Sequence, residues 1–117
     1  MKSLFKSFLM ILILSSNIIP QGKVYVAYID GDIDLGLAPY VSRVVSDAEK
    51  DNAEAIIFKI NTFGGRVDAA TQIKDAIIST DLLTIAFINN RAISAGALIA
   101  LSCKKIVMVP GSLIGAA

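Results

Sequence analysis

The chain has 117 residues, 55% of them hydrophobic and 18% charged, with a formal net charge of +1. That supports one domain with a modest core, and gives no reason to expect a nucleic-acid partner. Histidine is absent and Cys103 is the single cysteine, which excludes a Ser-His-Asp triad supplied by this chain, a histidine-ligated metal, an internal disulfide and a cysteine-based metal site.

Lys2 and Lys6 precede an apolar run, Phe8–Leu14, which gives way to Ser15, Ser16 and Asn17. A basic start, a short apolar stretch and a small polar stretch form the pattern of a secretory signal. The run falls short of the roughly 20 residues of a spanning helix, although Ile18 and Ile19 extend it toward an uncleaved anchor. Residues 1–22 are expected to be a signal peptide or N-terminal membrane anchor, and residues 23–117 an exported domain.

From Lys23 to Ile29 the sequence is apolar and β-prone, and Asp30-Gly31-Asp32 ends it. Asp30, Asp32 and Asp34 lack the ligand spacing and glycine of a calcium loop, so this is expected to be a solvated turn and no metal site. Pro39 to Asn52 has helical periodicity, with Tyr40, Val41, Val44, Val45 and Ala48 on one face and Arg43, Asp47 and Lys50 opposite. Ala55–Asn61 is an apolar run broken only by Lys59, as in a strand buried on both faces. After a glycine turn, Asp68 is placed to cap a helix over Ala69–Thr80 whose inner face carries Ala70, Ile73 and Ile77, while Arg66 reads as a solvated turn residue. Leu83–Asn89 is the next strand, followed by a polar elbow and a helix over Ser94–Ser102. Lys105–Val109 is a fourth strand cut off by Pro110-Gly111, and Gly111 to Ala117 reads as a loop. Strands alternating with helices predict a parallel sheet with helices on its faces. A dinucleotide site is excluded because no Gly-x-Gly-x-x-Gly follows the first strand.

Two of these strand-to-helix connections could carry chemistry. Ser94, flanked by Ala95 and Gly96, lies where a strand turns into a helix, so its hydroxyl stands beside free backbone N–H groups. The same position suits a plain helix N-cap. Gly64 and Gly65 follow an earlier strand and can turn backbone N–H groups outward, as an oxyanion turn requires, though tight connections use glycine routinely. With one helix and one strand between them, the two connections can lie side by side at the carboxyl edge of one sheet.

Asn61-Thr62-Phe63-Gly64-Gly65-Arg66-Val67-Asp68-Ala69-Ala70, Arg91-Ala92-Ile93-Ser94-Ala95-Gly96-Ala97-Leu98-Ile99-Ala100 and Pro110-Gly111-Ser112-Leu113-Ile114-Gly115-Ala116-Ala117 resemble, in that order, motifs of the NfeD family. These are membrane-bound serine peptidases of the ClpP/crotonase fold, related to signal peptide peptidase A. The resemblance implies an α/β spiral, incomplete at the C-terminal side, in which residues 23–117 are the N-terminal part of the peptidase domain. It implies a Ser–Lys dyad with Ser94 as nucleophile, and an oxyanion hole from the backbone N–H of Gly65, helped by Gly64, and of Ala95. It implies no cofactor. The expected partners are hydrophobic segments of membrane proteins, including stomatin-like ones, with the domain on the extracytoplasmic or periplasmic side and a homo-oligomer as the working form.

The family places its lysine on a helix well downstream of the Pro-Gly-Ser segment. Lys104 and Lys105 follow Ser94 too closely, and Lys59 occupies no family base position, so none of them is assigned as base. Phe63 stands where the family has proline, leaving the glycine loop less preorganised and adding an apolar wall to the cleft. Two alternatives remain beside the peptidase: a non-catalytic interaction module of the same fold, and a crotonase-type acyl-CoA enzyme, which an exported location disfavours.

Overall fold

The computed structural model describes residues 2–7 and 21–116; the apolar run Phe8–Leu14 expected to act as a signal or anchor lies outside the described residues. Residues 2–7 are helical and exposed. The body runs β1 (Val24–Asp30), α1 (Leu37–Lys50), β2 (Ala55–Thr62), α2 (Val67–Ile78), β3 (Leu83–Ile93), α3 (Ala95–Ser102), β4 (Lys105–Met108) and β5 (Leu113–Gly115). No helix among the described residues is long and apolar enough to cross a membrane.

All strand pairs are parallel, in the spatial order β1-β2-β3-β4. Because spatial order follows chain order, each right-handed crossover steps the same way and leaves its helix on the same side. The helices accordingly pack in a row, α1 on α2 and α2 on α3. Ala27, Ile29, Ile56, Phe58, Ile60, Ala86 and Ile88 meet them in the core, with Val41, Val45, Ile73, Ile77 and Ile99 opposite. The other side of the sheet is open, with Val24, Val26 and Tyr28 about half exposed. This corrects the expectation for Ala55–Asn61: β2 alternates between fully and partly buried residues, because helices cover only one of its faces.

Element boundaries shift for identifiable reasons. α1 begins at Leu37, before Pro39, because the Asp34 carboxylate accepts the N–H groups of Gly36 and Leu37 at 3.0 and 3.1 Å. α2 begins at Val67 with Arg66 at the N-cap, so Asp68 lies inside the first turn and is not the cap. The largest differences concern the third motif. The segment read as a loop contains β5, whose Leu113, Ile114 and Gly115 pair with Arg91, Ala92 and Ile93. β3 therefore runs on to Ile93, through the stretch expected to be a polar elbow. β4 ends at a tight turn, where Val109 N–H donates to the Ile88 carbonyl and Ser112 N–H to the Val109 carbonyl, and β5 resumes along the same edge of β3.

Candidate active site

Ser94 joins β3 to α3 with φ 55° and ψ −116°, a conformation an L-residue keeps only when its surroundings impose it. Those surroundings are backbone bonds on both sides. Its N–H donates to the Gly115 carbonyl of β5 at 2.8 Å, and its carbonyl accepts from the N–H groups of Ala97 and Leu98 at 2.9 and 3.3 Å. Ser94 occupies the N-cap position, yet its hydroxyl caps nothing. The side chain instead lines a cleft of about 250 Å³ with Val67, Ala95 and Leu98, a wall that is apolar apart from the serine itself.

The glycine loop reaches the same place from β2. Gly64 and Gly65 have φ 119° and 154°. A Cβ on Gly64 would stand 3.0 Å from Ser94 Cβ and 3.5 Å from Ala95 N, so Gly64 is the glycine that lies against the serine turn. A Cβ on Gly65 would stand 2.3 Å from the Ile33 carbonyl oxygen. That closeness reflects a clamp: Ile33 N–H donates to the Gly64 carbonyl at 3.0 Å, and Arg66 N–H donates to the Ile33 carbonyl at 2.8 Å. Gly64 N–H donates to Thr62 Oγ1 at 2.9 Å, while the same hydroxyl donates to the Gly31 carbonyl. The N–H groups of Gly65 and Ala95 meet no acceptor among the described residues. Gly96 completes the juxtaposition, since a Cβ there would be 2.4 Å from Thr62 Cγ2; only glycine lets α3 come this close to the end of β2.

Of the residues singled out in the sequence, Gly64, Ser94 and Ala95 therefore meet directly, with Gly65 next to them on the Ile33 clamp. Residues to which the sequence assigned no role hold them there: Ile33, Thr62 and the β5 residue Gly115. Ile33 is fully buried amid Asp30, Asp32 and Asp34, and an apolar residue inside an acidic turn was the available signal.

The lysines lie elsewhere. Lys104 Nζ donates to the Asp81 and Leu82 carbonyls at 2.6 and 2.8 Å, at the opposite end of β3 from Ser94. Lys105 pairs with Ile85 near that same end. Lys59 lines the open face of the sheet with its Nζ 5.7 Å from the Tyr28 ring. Cys103 is no second nucleophile, because burial pushes its thiol up to about 12 although the neighbouring Thr84 hydroxyl pulls the other way.

Two arginines flank the site, and they differ. Arg66 is held by Asp68, with Nε–Oδ1 and Nη2–Oδ2 distances of 3.0 and 2.8 Å, and the hydrogen bonds from Arg66 hold that carboxyl down at about 2. Arg91 instead lies over Phe63, with its guanidinium carbon 4.1 Å from the ring centroid. Phe63 is 70% exposed and joins Asp32, Ile33, Asp34 and the glycine loop in lining an open cleft of about 560 Å³. Among the described residues no group of His, Cys, Asp and Glu is arranged to hold a metal.

Comparison with known proteins gives consistent matches. A family model described as the NfeD1b N-terminal domain matches residues 23–117. The membrane protein NfeD1b of Bacillus subtilis is 43% identical over 94 residues, which are 80% of this chain and 22% of that protein. The membrane-bound protease PH1510 of Pyrococcus horikoshii is 38% identical over 119 residues, 99% of this chain and 27% of its own length. The chain thus spans about a quarter of the curated relatives it matches. Among solved structures, a lysine-to-alanine variant of the 1510-N membrane-bound stomatin-specific protease, in complex with a substrate peptide, gives a TM-score of 0.75 at 37% identity, covering 81% of this chain and 45% of that one. A variant of ClpP1 from Listeria monocytogenes gives 0.70 at 27% identity, covering 74% and 52%. The parallel sheet flanked by helices is thus similar to ClpP-like protease folds.

Proposed function

Because the chain belongs to the NfeD1b N-terminal domain family, we propose that it supplies the nucleophile and the oxyanion donors of a membrane-associated serine endopeptidase. The observation that carries this reading is the turn at Ser94: a non-glycine residue is kept at φ 55° with a hydroxyl that caps nothing. A serine serving only the fold would be relieved by glycine at that position.

In this mechanism the Ser94 Oγ attacks the scissile carbonyl carbon while its proton passes to a neutral lysine. The carbonyl oxygen becomes an oxyanion facing Ala95 N–H and the Gly65 N–H, both without acceptors among the described residues, with Gly64 N–H shared from Thr62. Collapse breaks the C–N bond, the leaving amine takes the proton from the lysine, and water then hydrolyses the Ser94 ester by the same route in reverse. The lysine must be desolvated to stay neutral, and Lys59, Lys104 and Lys105 are not so placed. We assign the base to a lysine other than these three, in keeping with the lysine-to-alanine variant of the relative that holds a substrate peptide. The apolar wall of Val67, Ala95 and Leu98 suits apolar peptide segments, and the relative's stomatin specificity makes stomatin-like membrane proteins the first substrates to try. We further assign residues 1–22 to a leader or anchor that places the domain outside the cytoplasm, and a homo-oligomer to the working state.

A second reading, a non-catalytic module that only binds such segments, is favoured by the Ser94 hydroxyl having no hydrogen-bonded base among the described residues. Cleavage of a stomatin-like apolar peptide by the full-length protein, followed by mass spectrometry, separates the two. Peptidase action predicts cleavage that is abolished in Ser94→Ala with the melting temperature retained. Cleavage persisting in Ser94→Ala, or peptide bound but never cut, removes the serine mechanism.

A further inference from the structure

Arg91 is the feature at this site that the peptidase mechanism does not use. It lies three residues before Ser94, on the end of β3 that pairs with β5. Its guanidinium is stacked 4.1 Å from the centroid of Phe63, the residue immediately before Gly64. The stack therefore bridges the same two connections that bring Gly64 against Ser94. A guanidinium carries five donors in one plane. Here, among the described residues, one of them is used, Nη2 donating to Asn90 Oδ1 at 3.2 Å. No carboxylate among the described residues lies within ion-pair distance of Arg91, whereas Arg66, on the other flank of the glycine loop, is paired with Asp68 through two hydrogen bonds. The ring occupies one face of the guanidinium and Asn90 one of its donors, and the donors that remain in the plane of the fork are those that can bond both oxygens of a carboxylate.

We propose that Arg91, held flat on Phe63, is a specificity-determining residue that binds a carboxylate of the peptide close to the bond Ser94 attacks. The site then selects apolar segments that carry one acidic group, the apolar part lying along Val67, Ala95 and Leu98 and the carboxylate reaching Arg91. Phe63 supplies the stacking surface that fixes the fork before substrate arrives, so less side-chain freedom is lost on binding. This inference rests on the site being a peptide site, as proposed above, but not on cleavage.

The test uses binding, so that it reads separately from catalysis. Apolar decapeptides, acetylated and amidated at their ends, carry a single Glu at successive positions, each with a Gln twin. A further peptide has no Glu but a free carboxyl terminus. Each is titrated into the full-length Ser94→Ala protein by fluorescence anisotropy. At one position the Glu peptide is expected to bind about tenfold more tightly than its twin, a margin ordinary for a charge-assisted bidentate contact. That margin disappears in the Arg91→Gln background, shrinks in Arg91→Lys and Phe63→Leu, and survives Arg43→Gln, which removes the same charge from the exposed face of α1. If the free terminus gains the margin and no internal Glu does, the carboxylate recognised is a chain end. Equal binding of every acid and amide pair to the protein with Arg91 intact overturns the proposal without any variant having to fold. So does a Glu margin that Arg91→Gln leaves untouched. A margin that behaves as expected, when the protein with Ser94 intact never cuts the same peptide, leaves Arg91's role standing and removes the peptidase reading alone.

Discussion

The two connections that meet at the candidate site solve opposite problems. Between β2 and α2 the chain must pass against Ile33 and Ser94 with no side chain in the way, and Gly64 and Gly65 provide that. Between β3 and α3 a similarly unusual backbone is occupied by Ser94, where glycine would be easier and a side chain is retained. Both are held by a neighbouring strand or bridge: Ile33 grips the carbonyl of Gly64 and the N–H of Arg66, and Gly115 takes the N–H of Ser94. The glycine connection is shaped by what it excludes, and the serine connection by what it keeps. Substitutions at the first should therefore cost folding, and substitutions at the second should cost activity.

The largest expected effect comes from adding one methyl group to the glycine side. In Gly65→Ala the new Cβ would fall 2.3 Å from Ile33 O and 2.7 Å from Ile33 N, both backbone atoms inside the clamp. Overpacking and an unfavourable φ each cost a few kcal/mol, so the variant should lose about 4 kcal/mol, with Ile33 no longer bridged. Urea unfolding measures this, and a loss below about 1 kcal/mol would show that the clamp yields easily. Thr62→Val is the next step down. The valine is close in shape but leaves Gly64 N–H and the Gly31 carbonyl without the buried hydroxyl that serves both. The expected loss is about 2 kcal/mol, the usual range for unsatisfied buried groups. Any peptidase activity should fall further than stability does, because Gly64 would no longer be tied in place beside Ser94.

These supports also mark where sequence reading stops. The alternation of apolar strands and amphipathic helices made the parallel sheet legible, and small residues around Gly64, Gly65 and Ser94 marked both connections. Periodicity says which residues of a helix point inward, and Ala70, Ile73 and Ile77 do. It says little about what lies on the far side of a strand. Ala55–Asn61 reads as buried on both faces, yet sequential strand order puts every helix on one side. Nor does it reveal contacts made by backbone alone. β5 is three residues long and is defined by its pairing with Arg91–Ile93, and Ile33 acts through its N–H and carbonyl. The Phe63 departure from the family pattern was visible in the sequence, but the arginine lying on it came from a different element, 28 positions along the chain.

On the serine side a single change should improve the fold. Ser94→Gly removes a Cβ from a backbone at φ 55° and ψ −116°, and among the described residues the hydroxyl makes no cap bond that would be lost. Strain of this kind costs on the order of 1 kcal/mol or more, and the extra freedom glycine gives the unfolded chain offsets part of the gain. A net rise in stability of about 0.5–1 kcal/mol is expected, seen as a melting temperature a few degrees higher, together with complete loss of cleavage. Gain in stability with loss of function is the signature of a residue kept for its side chain. A variant that is less stable than the natural chain would mean that Ser94 serves the fold after all, and the contrast between the two connections would collapse.

The smallest effect concerns the rim of the glycine connection. Asp68 is lowered from the ordinary 3.8 to about 2, first by its hydrogen bonds from Arg66 and then, against the opposing effect of desolvation, by Ala69 N–H and the arginine charge. A carboxyl depressed in the folded state stabilises it above the unfolded value and loses that contribution as pH falls toward the folded one. The contribution should thus be complete near about pH 5 and fade between about 4 and 2. Both side chains are more than half exposed, so solvent and salt weaken the pair, and only a small shift in melting temperature is expected. Carboxyl-carbon NMR titration is the direct measurement: Asp68 should titrate at about 2, below the ordinary 3.8 of an aspartate, and Arg66→Gln should bring it back toward that ordinary value. If the Gly64–Gly65 resonances do not move in Arg66→Gln, the loop is set by Ile33 and Thr62 alone and the Arg66–Asp68 pair only trims the helix terminus. If they do move, the rim shares in shaping the glycine loop, and that connection depends on side chains as well as on their absence.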